Sequence, residues 1–126
     1  MKKIQIIIAF LLSLNLSYSQ VNPLDVEIVR DNYGVPHIYG KTDADVAYGL
    51  AWAHSEDDFK TIQEAYLAGN GLLSKHIGLK GAPVDFISQL IRSDYVVDSL
   101  LGTIDKKFMK IAEAYAQGFN KFAELN

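Results

Sequence analysis

Residues 26–40 read VEIVRDNYGVPHIYG, and this stretch decides the fold class. Side chains of different polarity alternate with a period of two on either side of a turn-forming segment, which is typical of two short strands. The pattern predicts a β-hairpin whose turn uses Asn32 and Gly34 for positive φ angles. Since Pro36 has no N–H to donate, the second strand should lie at an edge or pair on one side only.

After the hairpin the pattern becomes helical. Thr42 with Asp45 three residues later resembles a capping box, so we predict a helix over residues 43–67. Gly49 lies inside it and costs up to about 1 kcal/mol relative to alanine. It therefore indicates a close contact between this helix and the sheet or another helix. Residues 68–71, AGNG, should end the helix.

Two further helical patterns follow a predicted loop at residues 78–83, GLKGAP. The first covers residues 85–101 and is interrupted near Ser93. The second is amphipathic, with Thr103 as its predicted N-cap, and its apolar positions recur every three or four residues: Phe108, Ile111, Ala112, Tyr115, Phe119 and Phe122. The layout is α+β, a β-hairpin followed by three or four helices. Because two strands alone are marginally stable, we expect sequence after Asn126 to complete the sheet.

The composition narrows the class of protein. The chain has 126 residues, with 12 lysines and arginines against 15 aspartates and glutamates, and it has no cysteine. The length corresponds to one domain at most. The lack of cysteine excludes disulfides, thiolate metal sites and cysteine nucleophiles. The net charge of −3 offers no electrostatic reason to expect nucleic acid as a partner.

The first 19 residues have the pattern of a secretory signal peptide. Lys2 and Lys3 precede an apolar run over residues 4–16, which is shorter than a membrane span, and residues 17–19, SYS, supply small side chains for cleavage. We predict cleavage after Ser19, which leaves residues 20–126 in the periplasm or outside the cell. Without the two lysines this part has 10 basic and 15 acidic residues, a net charge of −5.

The densest polar cluster is HSEDD at residues 54–58. His54 and Asp58 stand four residues apart on one helical face and could chelate a divalent cation together. No second pair of ligands stands at a supporting spacing, so we expect a polar helix face and no metal site. His37 and His76 lack a serine placed near them by a motif, and we expect packed or surface residues rather than catalytic bases.

Four motifs in a fixed order resemble the penicillin acylase family. The first is VEIVRDNYGVPHIYG at residues 26–40, and the second is Asp45 followed by YGLAWAHSEDD at residues 48–58. The spaced glycines Gly71 and Gly78 are the third, and AYAQGFN at residues 114–120 is the fourth. The resemblance extends over roughly residues 25–125. Four ordered motifs are far more specific than any one of them.

The resemblance implies an N-terminal nucleophile hydrolase, with residues 20–126 as the N-terminal part of its α chain. The hairpin and helices would then be an incomplete piece of a four-layer αββα fold. Members of the family cut their precursor into α and β chains, and the serine that begins the β chain attacks the substrate amide with its own α-amine as base. Only the start of the α chain matches, so the nucleophilic serine is expected after Asn126 and no catalytic residue within this chain.

The resemblance also implies partners and cofactors. The partners would be the β chain from the same precursor and a small-molecule amide substrate, with no nucleic acid and no membrane after signal removal. No cofactor is expected; calcium could bind the full-length protein, but its ligands are not identifiable among these residues.

This sequence departs from the family pattern at two positions, where Ala51 replaces a helix glycine and Asp58 replaces a frequent Arg or Asn. The Glu56-Asp57 step resembles the branch of acyl-homoserine lactone and aculeacin acylases, which favours a long-acyl amide substrate. Asp57 is expected to orient neighbouring backbone by hydrogen bonds rather than to bind calcium.

The remaining motif residues have expected structural roles. Arg30 and Asp31 should form a charged pair that fixes the hairpin, with direct contact to substrate as the alternative. Tyr48, Gly49 and Trp52 should belong to helix packing.

Two functions follow from these observations. The first is the N-terminal part of a secreted or periplasmic amidohydrolase precursor that removes an acyl side chain from an amine such as a β-lactam nucleus, a homoserine lactone or a lipopeptide. The alternative is an exported binding or scaffold module that kept the start of the α chain without its chemistry. Under the first, residues 20–126 alone should be poorly soluble or behave as a molten globule, because the hairpin and the apolar faces of the last helices lack a partner layer.

Overall fold

The computed structural model describes residues 20–126, and the predicted signal peptide lies outside the described residues. A 3₁₀ turn, Pro23–Asp25, leads into strands β1 (Val26–Arg30) and β2 (Pro36–Gly40). Five helices follow: α1 (Asp43–Gly69), α2 (Leu73–Ile77), α3 (Ala82–Ile91), α4 (Ser93–Leu100) and α5 (Lys106–Leu125). The α+β arrangement is confirmed. Within residues 20–126 there are five α-helices rather than three or four, because α2 is a separate short helix and the interrupted helix consists of two helices, α3 and α4.

The hairpin is antiparallel, with Val26 opposite Gly40 and Arg30 opposite Pro36. Gly34 has a φ of +82°, as predicted, but Asn32 is not among the described residues with positive φ, so that part of the prediction is wrong. The connection is longer than a two-residue turn and is held by Asp31 instead. Its Oδ1 accepts backbone N–H groups from Tyr33 and Val35, each at 2.9 Å.

Helix α1 begins with the predicted capping box. The Thr42 hydroxyl accepts the Asp45 N–H at 3.2 Å, and the Asp45 carboxylate accepts the Thr42 N–H at 2.8 Å. The helix is kinked at Asp58, which has φ −158° and ψ 71°. The Asp58 carboxylate caps the second half by accepting the Thr61 N–H at 3.1 Å and the Thr61 hydroxyl at 2.6 Å. Gly71, at φ +63°, follows the end of the helix as expected.

Gly49 brings α1 against the hairpin. A Cβ atom there would lie 2.6 Å from Ile38 Cγ2 and 2.8 Å from Val26 Cγ1. Real Cβ atoms do not approach carbon so closely, so a side chain at this position would push the sheet away from the helix. The predicted close contact is confirmed.

Helix α5 packs along α1 and closes the small core, in which Val21, Ala47, Tyr48 and Ala114 are buried together. At Gly118 a Cβ would lie only 2.4 Å from the Tyr48 carbonyl oxygen. Further along, aromatic rings of the two helices meet, Trp52 edge-on to Phe122 and Phe59 stacked on Phe119. The predicted apolar face of α5 is confirmed in part. Ile111, Tyr115, Phe119 and Phe122 pack towards α1, whereas Phe108 and Ala112 are exposed, and the residues of α5 that are buried are Ala114 and Gly118.

The start of α5 differs from the prediction. Its N-cap is Asp105, whose carboxylate accepts the N–H groups of Lys107 at 2.8 Å and Phe108 at 3.4 Å. Thr103 lies in a preceding 3₁₀ turn, Leu101–Thr103, and its hydroxyl donates to the Leu100 carbonyl. A carboxylate at the helix N-terminus also complements the helix dipole, which a hydroxyl does not.

The predicted loop at residues 78–83 is also different. Gly78–Gly81 forms a 3₁₀ turn, and α3 begins directly at Ala82 with Pro83 in its first turn, where a missing N–H costs nothing. The expected interruption near Ser93 is confirmed: Arg92, in the left-handed region at φ 53°, separates α3 from α4. Within the described residues, no helix is long and apolar enough to cross a membrane.

Candidate functional site

The motif residues converge where the end of β1 meets the middle of α1, and Arg30 is the centre of this contact. Its Nη1 donates to the Gly34 carbonyl at 2.9 Å, so the side chain braces the hairpin turn. Its Nη2 lies 3.1 Å from Glu56 Oε2 and 2.9 Å from Asp57 Oδ1. The hydrogen bonds that the Arg30 guanidinium donates to the carboxylates of Glu56 and then Asp57 raise the pKa of Arg30. We call Arg30, Glu56 and Asp57 the hairpin–helix tie.

The expectations about this region are confirmed only in part. Arg30 and Asp31 both fix the hairpin, as expected, but they do so separately and not as a pair, because successive residues of an extended segment point to opposite faces. Asp31 instead caps the turn and lies 3.5 Å from His37 Nε2; its pKa is lowered by the bonds it accepts from Val35 and Tyr33. Asp57 pairs with Arg30 rather than orienting backbone.

Glu56 connects the tie to the interface between α1 and α5. Its other oxygen, Oε1, accepts the Trp52 indole N–H at 2.9 Å, and Trp52 packs edge-on against Phe122. The expected packing roles of Tyr48, Gly49 and Trp52 are thus confirmed; burial raises the pKa of the Tyr48 hydroxyl. The carboxylate on which the long-acyl expectation rests is engaged in holding the fold.

The structure divides the polar cluster at residues 54–58. His54 Nδ1 lies 3.1 Å from the Tyr115 hydroxyl on α5, while Asp58 is engaged with Thr61 past the kink. Ser55 is buried, and its hydroxyl donates to the Ala51 carbonyl at 2.7 Å. The two side chains considered for chelation therefore have different partners. Within residues 20–126 no three histidine, aspartate or glutamate side chains are grouped to hold a metal ion.

The other two histidines lie at the surface. His37 is exposed on β2, and His76 is exposed on the short helix α2, which agrees with the expected surface role. Among the described residues, every buried side-chain nitrogen or oxygen atom has a hydrogen-bond partner. The contacts of Arg30 with Gly34, Glu56 and Asp57 therefore serve to position the hairpin against α1.

One buried acidic residue was missed by the sequence analysis. Asp85 is 5% exposed, and its two carboxylate oxygens accept the backbone N–H groups of Leu73 at 2.7 Å and Ser74 at 2.8 Å. Burial acts to raise the pKa of Asp85, but the bonds from Ser74 and Leu73 outweigh it and hold the pKa below its usual value. The available signal was an acid beside the apolar Phe86 at the start of a helix.

Comparison with known proteins shows the family. The family model described as penicillin amidase matches residues 25–126, so the chain belongs to the penicillin amidase family. An acyl-homoserine lactone acylase, PvdQ, of Pseudomonas putida is 26% identical over 113 residues, covering 82% of this chain and 15% of the relative. A penicillin G acylase of Escherichia coli is 26% identical over 103 residues, covering 79% and 12%. The chain thus spans less than a sixth of these relatives.

The fold comparison agrees. A solved structure of a thermostable penicillin G acylase from Alcaligenes faecalis is similar with a TM-score of 0.72 at 23% identity. The match covers 79% of this chain and 53% of that chain. Residues 20–126 therefore have the fold of part of a penicillin acylase, as the resemblance implied.

The hairpin–helix tie leads to a prediction on stability. We expect Arg30→Met to lower the thermal midpoint by a few degrees, because it removes the bonds to Gly34, Glu56 and Asp57 together and leaves two carboxylates side by side. Arg30→Lys should recover only part of the loss, since an ammonium lacks the planar fork that reaches several acceptors. Differential scanning fluorimetry of the whole gene's product measures both.

The control for this prediction is Lys60→Met. Lys60 forms a single exposed pair with Glu64 at 3.8 Å, which should contribute little. An unchanged midpoint in Arg30→Met would show that the tie does not hold the hairpin.

Proposed function

We propose that this chain is the N-terminal part of the α chain of a secreted or periplasmic amidohydrolase precursor, which removes an acyl group from an amine by hydrolysis of a linear amide bond. The observation that carries the proposal is the match to the penicillin amidase family over residues 25–126, on a fold in which the motif residues make specific contacts. The signal-peptide pattern of residues 1–19 supports export.

The names of the relatives support the class of reaction more than the substrate. One is an acyl-homoserine lactone acylase and the other a penicillin G acylase, at the same 26% identity. Both names describe removal of an acyl group. Since Glu56 is bound to Arg30 and Trp52, the Glu-Asp step gives weaker support to a long acyl chain than its sequence suggested.

In this proposal the chain contributes structure rather than a reacting group. The hairpin would join a larger sheet, and α1 with α5 would form part of the helical layer that covers it. The nucleophilic serine, its α-amine base and the groups that stabilise the oxyanion would come from the β chain, the proposed partner. The chain's task is to hold the hairpin in a fixed position against α1, through Gly49 and the hairpin–helix tie.

Sequencing of the gene beyond codon 126 and mass spectrometry of the native product test this function. We expect two chains, the second beginning with serine, and replacement of that serine by alanine should leave one uncut, inactive chain. A stop codon directly after Asn126 would contradict the enzyme function and favour the scaffold module.

The substrate class is tested separately, with the processed protein. We expect release of free amine from N-acyl-homoserine lactones of increasing chain length or from penicillin G, whichever the acyl pocket accepts. The uncut serine-to-alanine chain should release amine from neither class of substrate. Processing into two chains without hydrolysis of either class would contradict the substrate part alone.

A further inference from the structure

The ordered packing of the described chain starts at Val21. This side chain is 8% exposed and belongs to the core with Ala47, Tyr48 and Ala114. Its backbone N–H donates to Gln117 Oε1 on α5 at 3.0 Å. The next residue, Asn22, caps the 3₁₀ turn by accepting the Leu24 N–H at 3.2 Å. The backbone is therefore held on α5 from Val21 onward.

Gln20 precedes this anchor and is itself exposed. Within residues 20–126 no hydrogen bond engages its side-chain amide. It lies beside α5 at a cleft that Tyr48, Gln117 and Lys121 also line. The predicted cleavage after Ser19 would make this residue the first of the exported chain, with a free α-amine on the residue whose own side chain ends in an amide.

We propose that Gln20 becomes the N-terminal residue on export and is converted to pyroglutamate, a modification site on this chain. The inference rests on the proposed export and cleavage after Ser19. In the reaction the α-amino nitrogen attacks Cδ of the same residue, a C–N bond forms, and the Cδ–Nε2 bond breaks. The side-chain nitrogen leaves as ammonia with the proton given up by the amine. No oxidant, reductant or second substrate is required.

The surroundings of Gln20 are compatible with the ring. The peptide bond between Gln20 and Val21 is not touched by the reaction, so the Val21 N–H keeps its bond to Gln117. The α-amine, which ordinarily has a pKa of about 7.7–8, disappears, and with it a positive charge at the cleft that Lys121 and Glu124 also line. Because Gln20 is exposed, no packed neighbour prevents its α-amine from approaching its own side-chain amide.

The test is the N-terminus of the protein purified from its source. We expect a chain that begins at Gln20, with a mass lower by one ammonia than the sequence predicts. It should resist Edman degradation and become readable from Val21 after treatment with pyroglutamyl aminopeptidase. The Gln20→Ala variant is the matched control, and it should be exported equally and read directly as Ala, Val, Asn, Pro.

The possible results distinguish failure of the modification from failure of the proposed export and cleavage. A chain that begins at Gln20 with a free amine, at its full mass in freshly prepared protein, would overturn the modification and leave export intact. A chain that begins at Met1, or after a different cleavage point, would overturn both the modification and the predicted cleavage. A blocked Gln20 that appears only on storage would also overturn it, since conversion would not belong to the protein's maturation.

Discussion

Gly118→Leu should abolish soluble, folded protein, because the residue sits where α5 touches the backbone of α1. A Cβ at this position would lie 2.4 Å from the Tyr48 carbonyl oxygen and 3.0 Å from the Ala51 Cβ. Neither atom is the end of a flexible side chain, so the two helices must separate. Overpacking of a core typically costs about 1–3 kcal/mol and more where backbone must move. Soluble yield and thermal unfolding of the whole gene's product measure the effect.

A smaller substitution at Gly118 and the same substitution at another glycine serve as controls. Gly118→Ala should still destabilise, although alanine gains up to about 1 kcal/mol in helix propensity. Gly69→Ala, at the end of α1 with nothing within 4 Å of an added Cβ, should be neutral or stabilise by about 0.4–1 kcal/mol. Equal stability of the two alanine variants would show that α1 and α5 are not in the described contact.

Asp85→Asn should give the second large effect, a fall of many degrees in thermal midpoint at neutral pH. The carboxylate accepts N–H groups with both oxygens, whereas an amide presents an oxygen and an NH₂ group. One backbone N–H of α2 would then be buried against a donor, which is more costly than a bond simply lost. The control is Asp98→Asn, an exposed residue of α4, which should leave the midpoint unchanged.

The same substitution should change the dependence of stability on pH. The pKa of Asp85 is lower in the folded protein than its ordinary value of about 3.9. On acidification the unfolded chain therefore binds this proton first, and stability is lost as the pH falls from the ordinary value through the folded one. Denaturant unfolding between about pH 6 and 2, roughly two units on either side of that value, should show that stability falls less steeply with decreasing pH in Asp85→Asn than in the wild type.

The variant should still lose some folding stability at low pH. Asp31 and Asp58 accept hydrogen bonds that also lower their pKa, and they act in the same direction. An identical acid profile in variant and wild type would mean that the Asp85 carboxylate does not hold the start of α2.

Much of the fold could be predicted because its signals are local. The hairpin follows from a period of two around a glycine turn, and the capping box of Thr42 and Asp45 marks the start of α1. The apolar stripe of α5 is visible because neighbours on a helix face are three or four residues apart. Gly49 was recognised as a contact point because glycine inside a helix is costly without one.

The partners of the motif residues could not be predicted in the same way. Arg30 was expected to pair with its neighbour Asp31, but its carboxylate partners lie 26 and 27 residues later on α1. Asn32 and Thr103 had plausible local roles that Asp31 and Asp105 fill instead. Several side chains near a turn or a helix end could accept its free backbone N–H groups. Which of them does so depends on the directions in which the flanking segments run.

Residue patterns a few positions long and motifs in a fixed succession were enough to predict the hairpin, the long helices α1 and α5, their order and the family. Only the tertiary structure decided that Glu56 serves Arg30 and Trp52, that Asp85 holds α2, and that Gly118 lets α5 reach the backbone of α1. The physical reason is that burial, charge pairing and close approach join residues far apart in the chain. Their energies arise only when the helices pack against one another and against the hairpin.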